Sequence, residues 1–314
     1  MGLLDTIFDR SIFFSFDRSG YRRHAREFEA ADLDPSMKGK ECLVTGANSG
    51  LGLAVARGLA ERGATVHLLC RNEQRGTLAQ QAITSETNNP RVRLHVVDVS
   101  NQQSIVDFAA RFDSPRIDVL VHNAGVLPLE RELTADGLEL TVATHLVGPF
   151  LLTQLLRPKL RAARVVIVTS GGMYTKRLDV AGMLSNEGPY DGVAAYAMTK
   201  RGQVVLGELW ARELASSGTV VNVMHPGWAA TKGVERSLPR FFRIMNKRLR
   251  TAEEGADTAL WLAVAERIAG ETGKLWFDRQ AVPTHLLRWT RETALERQRL
   301  WDFCVAQTDR GEST

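Results

Sequence analysis

The chain has four tyrosines, Tyr21, Tyr174, Tyr190 and Tyr196, and only Tyr196 has a lysine four residues on, in "YAMTK" (196–200). On a helix, positions i and i+4 share a face, which sets Lys200 beside Tyr196. A nearby positive charge favours phenolate and lowers a tyrosine pKa from about 10, so proton exchange near neutral pH becomes feasible. A lone Y-x-x-x-K is also a common surface pair. It gains weight from Ser170, which ends the apolar run "ARVVIVTS" (163–170). An open parallel sheet binds ligands outside the carboxyl ends of its strands, where a hydroxyl can hydrogen-bond a reacting oxygen.

A second group suits phosphate rather than proton chemistry. "VTGANSGLG" (44–52) sets Thr45, Gly46, Asn48, Ser49, Gly50, Leu51 and Gly52 between an apolar run and a helical one. In that position glycines let the chain turn tightly and let a pyrophosphate approach a helix N-terminus. The spacing T-G-x-x-x-G-x-G is a variant of the dinucleotide fingerprint, and a glycine turn made only for packing stays open. At the next strand end, where NAD-binding chains favour an acidic residue, this chain reads "LLCRN" with Arg71 and Asn72. A guanidinium matches a 2′-phosphate in charge and fork geometry. NADP(H) is therefore preferred over NAD(H), with Arg75 able to assist. Asp98, followed by Val99, ends the third predicted strand, where an adenine ring would lie.

The elements that must carry these residues alternate. Strands are expected at 41–45, 64–70, 91–99, 117–122, 163–170, 219–225 and 273–278. The segments between them are helical in period, "LAVARGLAERG" stopping at Gly63 and "GQVVLGELWARELASSG" at Gly218. Strands alternating with helices predict an α/β, Rossmann-type doubly wound parallel sheet of about seven strands in a single domain. The expected organisation is an N-terminal extension (1–39) that packs on the domain or is amphipathic, the dinucleotide-binding domain (40–290), and a C-terminal helix and tail (291–314). Residues 232–250 interrupt the alternation and read as a mobile lobe over the carboxyl edge of the sheet.

Composition excludes other classes. The chain is 44% hydrophobic and 24% charged, with a formal net charge of +4, both signs being mixed along it. No basic run is interleaved with aromatics, so no nucleic-acid role is expected. Cys42, Cys70 and Cys304 lie far apart, with neither metal-ligand spacing nor a disulfide framework. An intracellular, cytoplasmic location fits. Residues 3–28 mix leucine and phenylalanine with arginine, which fits either a packed arm or a segment lying on a membrane surface. "MGLLDT" also fits the loose N-myristoylation pattern through Gly2 and Thr6. Assembly into a homo-oligomer is compatible with all of this.

Taken in order, "TGANSGLG" (45–52), "NAG" (123–125), Ser170, "YAMTK" (196–200) and "HPGWAAT" (225–231) resemble the short-chain dehydrogenase/reductase family over roughly residues 40–280. "SGGM" (170–173), "GADTALWLA" (255–263), "FDRQAVPTHL" (277–286) and the stretch around "RSGY" (18–21) are similar to its subgroup called dehydrogenase/reductase SDR family member 12. The resemblance implies hydride transfer between a nicotinamide and a carbonyl or alcohol carbon of a small molecule. It implies Tyr196 as proton donor or acceptor, Ser170 as the group that holds the reacting oxygen, and Lys200 on the nicotinamide ribose. Asn123, Ala124 and Gly125 would support the cofactor and the central strand. Pro226, Gly227, Trp228 and Thr231 would face the nicotinamide.

One residue departs from the family pattern. Where the family carries a relay asparagine three residues before a glycine, this chain has His145 before Gly148. His145 either replaces the asparagine, bringing a titration near pH 6.5, or is a packed histidine outside the relay. Met173, Tyr174, Met183 and Leu184, with Leu238, Phe241, Phe242 and Met245, suggest an apolar substrate, though core packing explains them equally well. A catalytically weak NADP(H)-binding sensor or scaffold is the rival reading.

Overall fold

A computed structural model describes residues 15–184, 188–230, 235 and 239–309. The central sheet has strands β1 (Glu41–Thr45), β2 (Thr65–Cys70), β3 (Val92–Val96), β4 (Ile117–His122), β5 (Leu160–Val168), β6 (Val220–Met224), β7 (Leu275–Phe277) and β8 (Gln280–Val282). Their spatial order is 3-2-1-4-5-6-7-8, with every neighbouring pair parallel except β7–β8. Each parallel crossover is made by a helical segment, and the strand order reverses between β1 and β4. That reversal opens a crevice at the carboxyl ends, where such sheets take ligands.

Side chains alternate across the sheet, as a two-residue repeat requires. Cys42 and Val44 of β1 join a core with α2 (Gly50–Glu61), α3 (Glu73–Thr87) and α7 (Ala252–Val264), as numbered below. Leu43 between them joins the opposite core. There it meets α4 (Gln102–Arg111), α5 (Gly148–Leu156), α6 (Gly192–Glu213) and α8 (Ala294–Thr308). All six residues of β2 are buried, as expected of a strand covered on both faces. Helix starts are set by polar caps: Asp191 accepts from the amides of Val193 and Ala194, and Thr251 with Glu254 forms a capping box. The three cysteines are buried and free.

Three features differ from the sequence reading. An eighth strand is added by a two-residue turn in which Asp278 (φ 46°) and Arg279 (φ 59°) both take left-handed backbone. Hairpin turns of this hand usually carry Asn or Gly, and here ion pairs hold the two residues instead. β3 ends at Val96, so Asp98 lies beyond the strand rather than at its end. β5 begins at Leu160, three residues before the expected start.

The described part of the N-terminal extension is packed on the domain. Helix α1 (Arg18–His24) starts at Asp17, which accepts from the amides of Ser19 and Gly20. Buried Arg250 forms a bidentate pair with buried Asp278 at 2.6 and 2.9 Å. The same guanidinium donates to the carbonyls of Ser15, Phe16 and Asp17. The ring of His24 closes the node, with Nδ1 2.6 Å from Asp278 Oδ2. Further along, Arg279 pairs with Asp257, and Asp32 accepts from Trp261 and Arg267. The expected membrane-facing stretch up to Phe14 and the Gly2/Thr6 pattern lie outside the described residues. Among those described, no helix is long and apolar enough to cross a membrane.

Candidate active site

The glycine loop leaves β1 and turns into α2. Gly46 (φ +65°) takes a backbone conformation that side chains rarely adopt, and a Cβ on Gly52 would collide with the Asn123 carboxamide and the Gly46 carbonyl. Asn123 staples this loop across the crevice: its Nδ2 donates to the carbonyl of Thr45 at 2.9 Å. Thr45 Oγ1 in turn accepts from the amides of Asn123 and Ala124, both at 3.0 Å. The N-cap Ser49 makes no side-chain hydrogen bond to the first turn of α2. The amides of Gly50, Leu51 and Gly52 thus form a helix start suited to an anion. The backbone of Asn48 completes the turn into it.

At the ends of β2 and β3, exposed Arg71 stands 3.9 Å from Asp98. Asp98 is itself fixed by the amide and hydroxyl of Ser100. Asn72 has a structural job here, accepting from the Arg75 amide to start α3. The Val99 carbonyl lies where a Cβ on Gly148 would be, so α5 crosses directly on that backbone. The glycine cradle, the uncapped helix start and a guanidinium at the ribose end together fit a dinucleotide.

The reacting end is built where α6 crosses β5. Ser170 follows β5, and its hydroxyl accepts from the Gly172 amide at 3.3 Å. Burial raises the Tyr196 phenol above its ordinary pKa, and the Ser170 hydroxyl opposes that rise. The lowering expected from Lys200 alone is therefore not what the protein produces. Its ammonium is 5.5 Å from the phenol ring centroid and donates to the Val168 carbonyl and to Gln203 Oε1, both at 2.9 Å. Burial lowers Lys200 to about 7.

His145 lies in a π-helical turn, Ala143–Val147, that precedes α5; single π turns are often placed at functional sites. Its ring sits edge-on to Tyr196 at 5.4 Å between centroids. Nε2 accepts from the Val126 amide at 3.0 Å, which leaves Nδ1 to donate to Thr199 Oγ1 at 2.8 Å. Burial, with the Lys200 charge, holds this imidazole well below its ordinary pKa. The titration near pH 6.5 anticipated for it is thereby displaced downward, because both ring nitrogens are committed and desolvated. Gly125 passes beside it, 3.3 Å separating a notional Cβ from His145 Nε2.

The "HPGW" segment is framed from behind. His225 stacks on Phe277 (4.2 Å, 9°) and packs on Phe16 (4.6 Å). The Pro226 carbonyl accepts from Arg250, Gly227 has φ +68°, and the Trp228 amide donates to the Phe16 carbonyl. Thr231 lies outside the described residues, as do Leu238 and the side chains of Leu184 and Phe241. Met173, Tyr174, Met183 and Met245 are buried. Met173 and Tyr174 belong to the main core, with the Tyr174 hydroxyl donating to the Pro283 carbonyl, so they are packing groups rather than pocket lining. Gln203, Thr199, Arg250 and Phe16 are the participants that sequence reasoning missed. Thr199 and Gln203 carried a local signal, one residue before and three residues after Lys200.

Buried neutral imidazoles give the fold a defined acid response. Burial lowers His122 to about 4 and His225 to about 3. Both folded values lie below the ordinary one, so their contribution is complete above pH 6.5 and drains as pH falls toward 4 and then 3. The urea midpoint is expected to drop between pH 7 and 4.5, by roughly 2 kcal/mol of stability per imidazole. A flat stability profile over that range would contradict the assignment.

Comparison with known proteins agrees with the geometry. The short chain dehydrogenase family model matches residues 40–239. Dehydrogenase/reductase SDR family member 12 from Bos taurus is 40% identical over 291 residues, covering 91% of each chain. Retinol dehydrogenase 12 from Homo sapiens is 34% identical, covering 77% of this chain and 78% of its own. A solved structure of an uncharacterized protein from Mycobacterium paratuberculosis superposes with a TM-score of 0.73 at 28% identity, covering 90% of this chain and 97% of that one. With the family model matching residues 40–239 and a 40% identical relative covering 91% of it, the chain belongs to the short-chain dehydrogenase/reductase family of NAD(P)-dependent oxidoreductases.

Proposed function

We propose that the chain transfers a hydride between NADP(H) and the carbonyl or alcohol carbon of a small apolar molecule. The observation that carries this reading is buried Lys200 on the helix face of Tyr196, its ammonium 5.5 Å from the phenol ring centroid, where α6 crosses the carboxyl end of β5 that leads into Ser170. NADP(H), when bound, supplies the hydride. The chain's own residues do the rest. The Gly46–Gly52 turn and the start of α2 hold the pyrophosphate, and Arg71 takes the 2′-phosphate. Asp98 and Val99 border the adenine, and Asn123, Ala124 and Gly125 brace the crevice between β1 and β4. Pro226, Gly227, Trp228 and Thr231 border the nicotinamide.

Ser170 holds the reacting oxygen, Tyr196 gives or takes its proton, and Lys200 binds the ribose hydroxyls. His145 acts through position, keeping the Val126 amide and Thr199 in place beside Tyr196. That relatives at 34% identity are named retinol dehydrogenases supports an apolar alcohol or aldehyde as the substrate class.

The cofactor preference is tested by titrating the purified protein with NADPH and NADH while following nicotinamide fluorescence. NADPH is expected to bind more tightly. Arg71→Ala is expected to weaken NADPH by about tenfold or more, the scale of a lost charge-assisted contact, and to leave NADH nearly unchanged. A wild-type preference for NADH would overturn the assignment of Arg71.

A further inference from the structure

Lys200 is a cation taken out of water, and two of its three N–H groups are met by the protein. One partner is the Val168 carbonyl on β5 and the other is the side-chain oxygen of Gln203, each at 2.9 Å. The same carboxamide extends its Nε2 to the carbonyl of His145, at 3.2 Å. Its orientation is forced, because an ammonium only donates and a carbonyl only accepts. Gln203 is buried, and beyond it lies a small cavity whose other walls include Phe150, Ile167, Leu206 and Trp210. No other side-chain acceptor reaches the ammonium among the described residues.

We propose that Gln203 is the positioning residue of Lys200, its oxygen holding the ammonium in register and its NH2 group tying that hold to the π turn through the His145 carbonyl. The inference rests on the hydride-transfer reading only for its purpose, since the linkage is a property of the protein alone. A longer path follows from the geometry. The turn that carries His145 also fixes Val126 and Thr199, so one carboxamide joins the lysine, the loop after β4 and the helix of Tyr196. The titratable groups facing Lys200 are Tyr196 on its own helix and His145 from the π turn. β5 and the loop after β4 bring only the Val168 carbonyl and Gly125.

The test is a titration of Lys200 in ligand-free protein, by NMR of lysine labelled at Cε, with the resonance assigned by Lys200→Arg. Gln203→Leu keeps the volume and suits the apolar cavity wall but removes the acceptor. Gln203→Glu keeps the shape and adds a negative charge. Lys200 is expected to titrate about one unit lower in Gln203→Leu and at least as far upward in Gln203→Glu, the scale of one hydrogen bond to a charge. A role in packing alone would change stability without moving the two variants in opposite directions. Unmoved titration in both overturns the proposal. If Gln203→Leu does not fold, the direction in Gln203→Glu decides alone. Because neither cofactor nor substrate is needed, failure here leaves the hydride-transfer reading standing, and failure of that reading leaves this titration interpretable.

Discussion

Tyr196→Phe is expected to lower turnover by about a thousandfold while NADPH still binds, since it deletes a single hydroxyl that passes the proton. Tyr196 is half-buried and edge-on to the His145 ring. Phenylalanine keeps the ring packing, so the fold and the cofactor crevice are retained. The measurement is kcat over a panel of apolar aldehydes and ketones with NADPH, alongside fluorescence titration of the cofactor. Undiminished turnover in Tyr196→Phe would remove the proton-transfer assignment. A wild type that binds NADPH yet turns over nothing in the panel would favour the sensor or scaffold reading instead.

The largest effect on stability is expected from Asp278→Ala. The substitution strands the Arg250 guanidinium in the interior with its charge unmatched, and breaking a buried pair in this way costs about 3–5 kcal/mol. Urea unfolding would register that loss, and a change below about 1 kcal/mol would show that the node is not a support of the fold. The wild-type pair also predicts an acid limb. Burial alone would push the Asp278 carboxyl up, but Arg250 and His24 outweigh it and hold the group below its ordinary value. A depressed carboxyl contributes stability that is present above its unfolded pKa and lost as pH falls through the lower, folded one. Asp278→Ala should therefore flatten the stability curve as pH falls through the carboxylate range.

What the sequence made legible is what depends on neighbours along the chain. The glycine turn lies within nine residues, and Tyr196 and Lys200 are one helical turn apart. Strands such as β5 announce themselves by an apolar run, "VVIV" at 165–168. These local signals also carried the doubly wound parallel sheet, because strands alternating with helices need crossover connections. The misses are of another kind. β8 is three residues long and turns on Asp278 and Arg279, whose left-handed backbone is held by partners elsewhere in the chain, Arg250 and Asp257.

Met173 and Tyr174 fit an apolar pocket and core packing equally well by sequence, and the structure places them in the core. Burial is set by what covers the loop, and Pro283 cannot be inferred from residues 171–175. Lys200 was legible as a lysine beside a tyrosine. Where its N–H groups point was not, since the Val168 carbonyl comes from another strand. The direction of the Tyr196 shift was not legible either, since it is set by burial of the phenol.

The node around Arg250 has a consequence for the order in which the molecule can be completed. Its contacts join residues separated by 234 positions, from Phe16 to Arg250, and by 254, from His24 to Asp278. A ribosome releases the first of these partners long before the last, so the opening segment must remain undocked through most of synthesis. Strands β1 to β6 can assemble as they emerge. The backing of the "HPGW" segment by Phe16 cannot, since the guanidinium that holds Phe16 needs a carboxylate made near the end of the chain. The backing of the "HPGW" segment is therefore completed only after Asp278 has joined Arg250, although Phe16 emerged more than two hundred residues earlier.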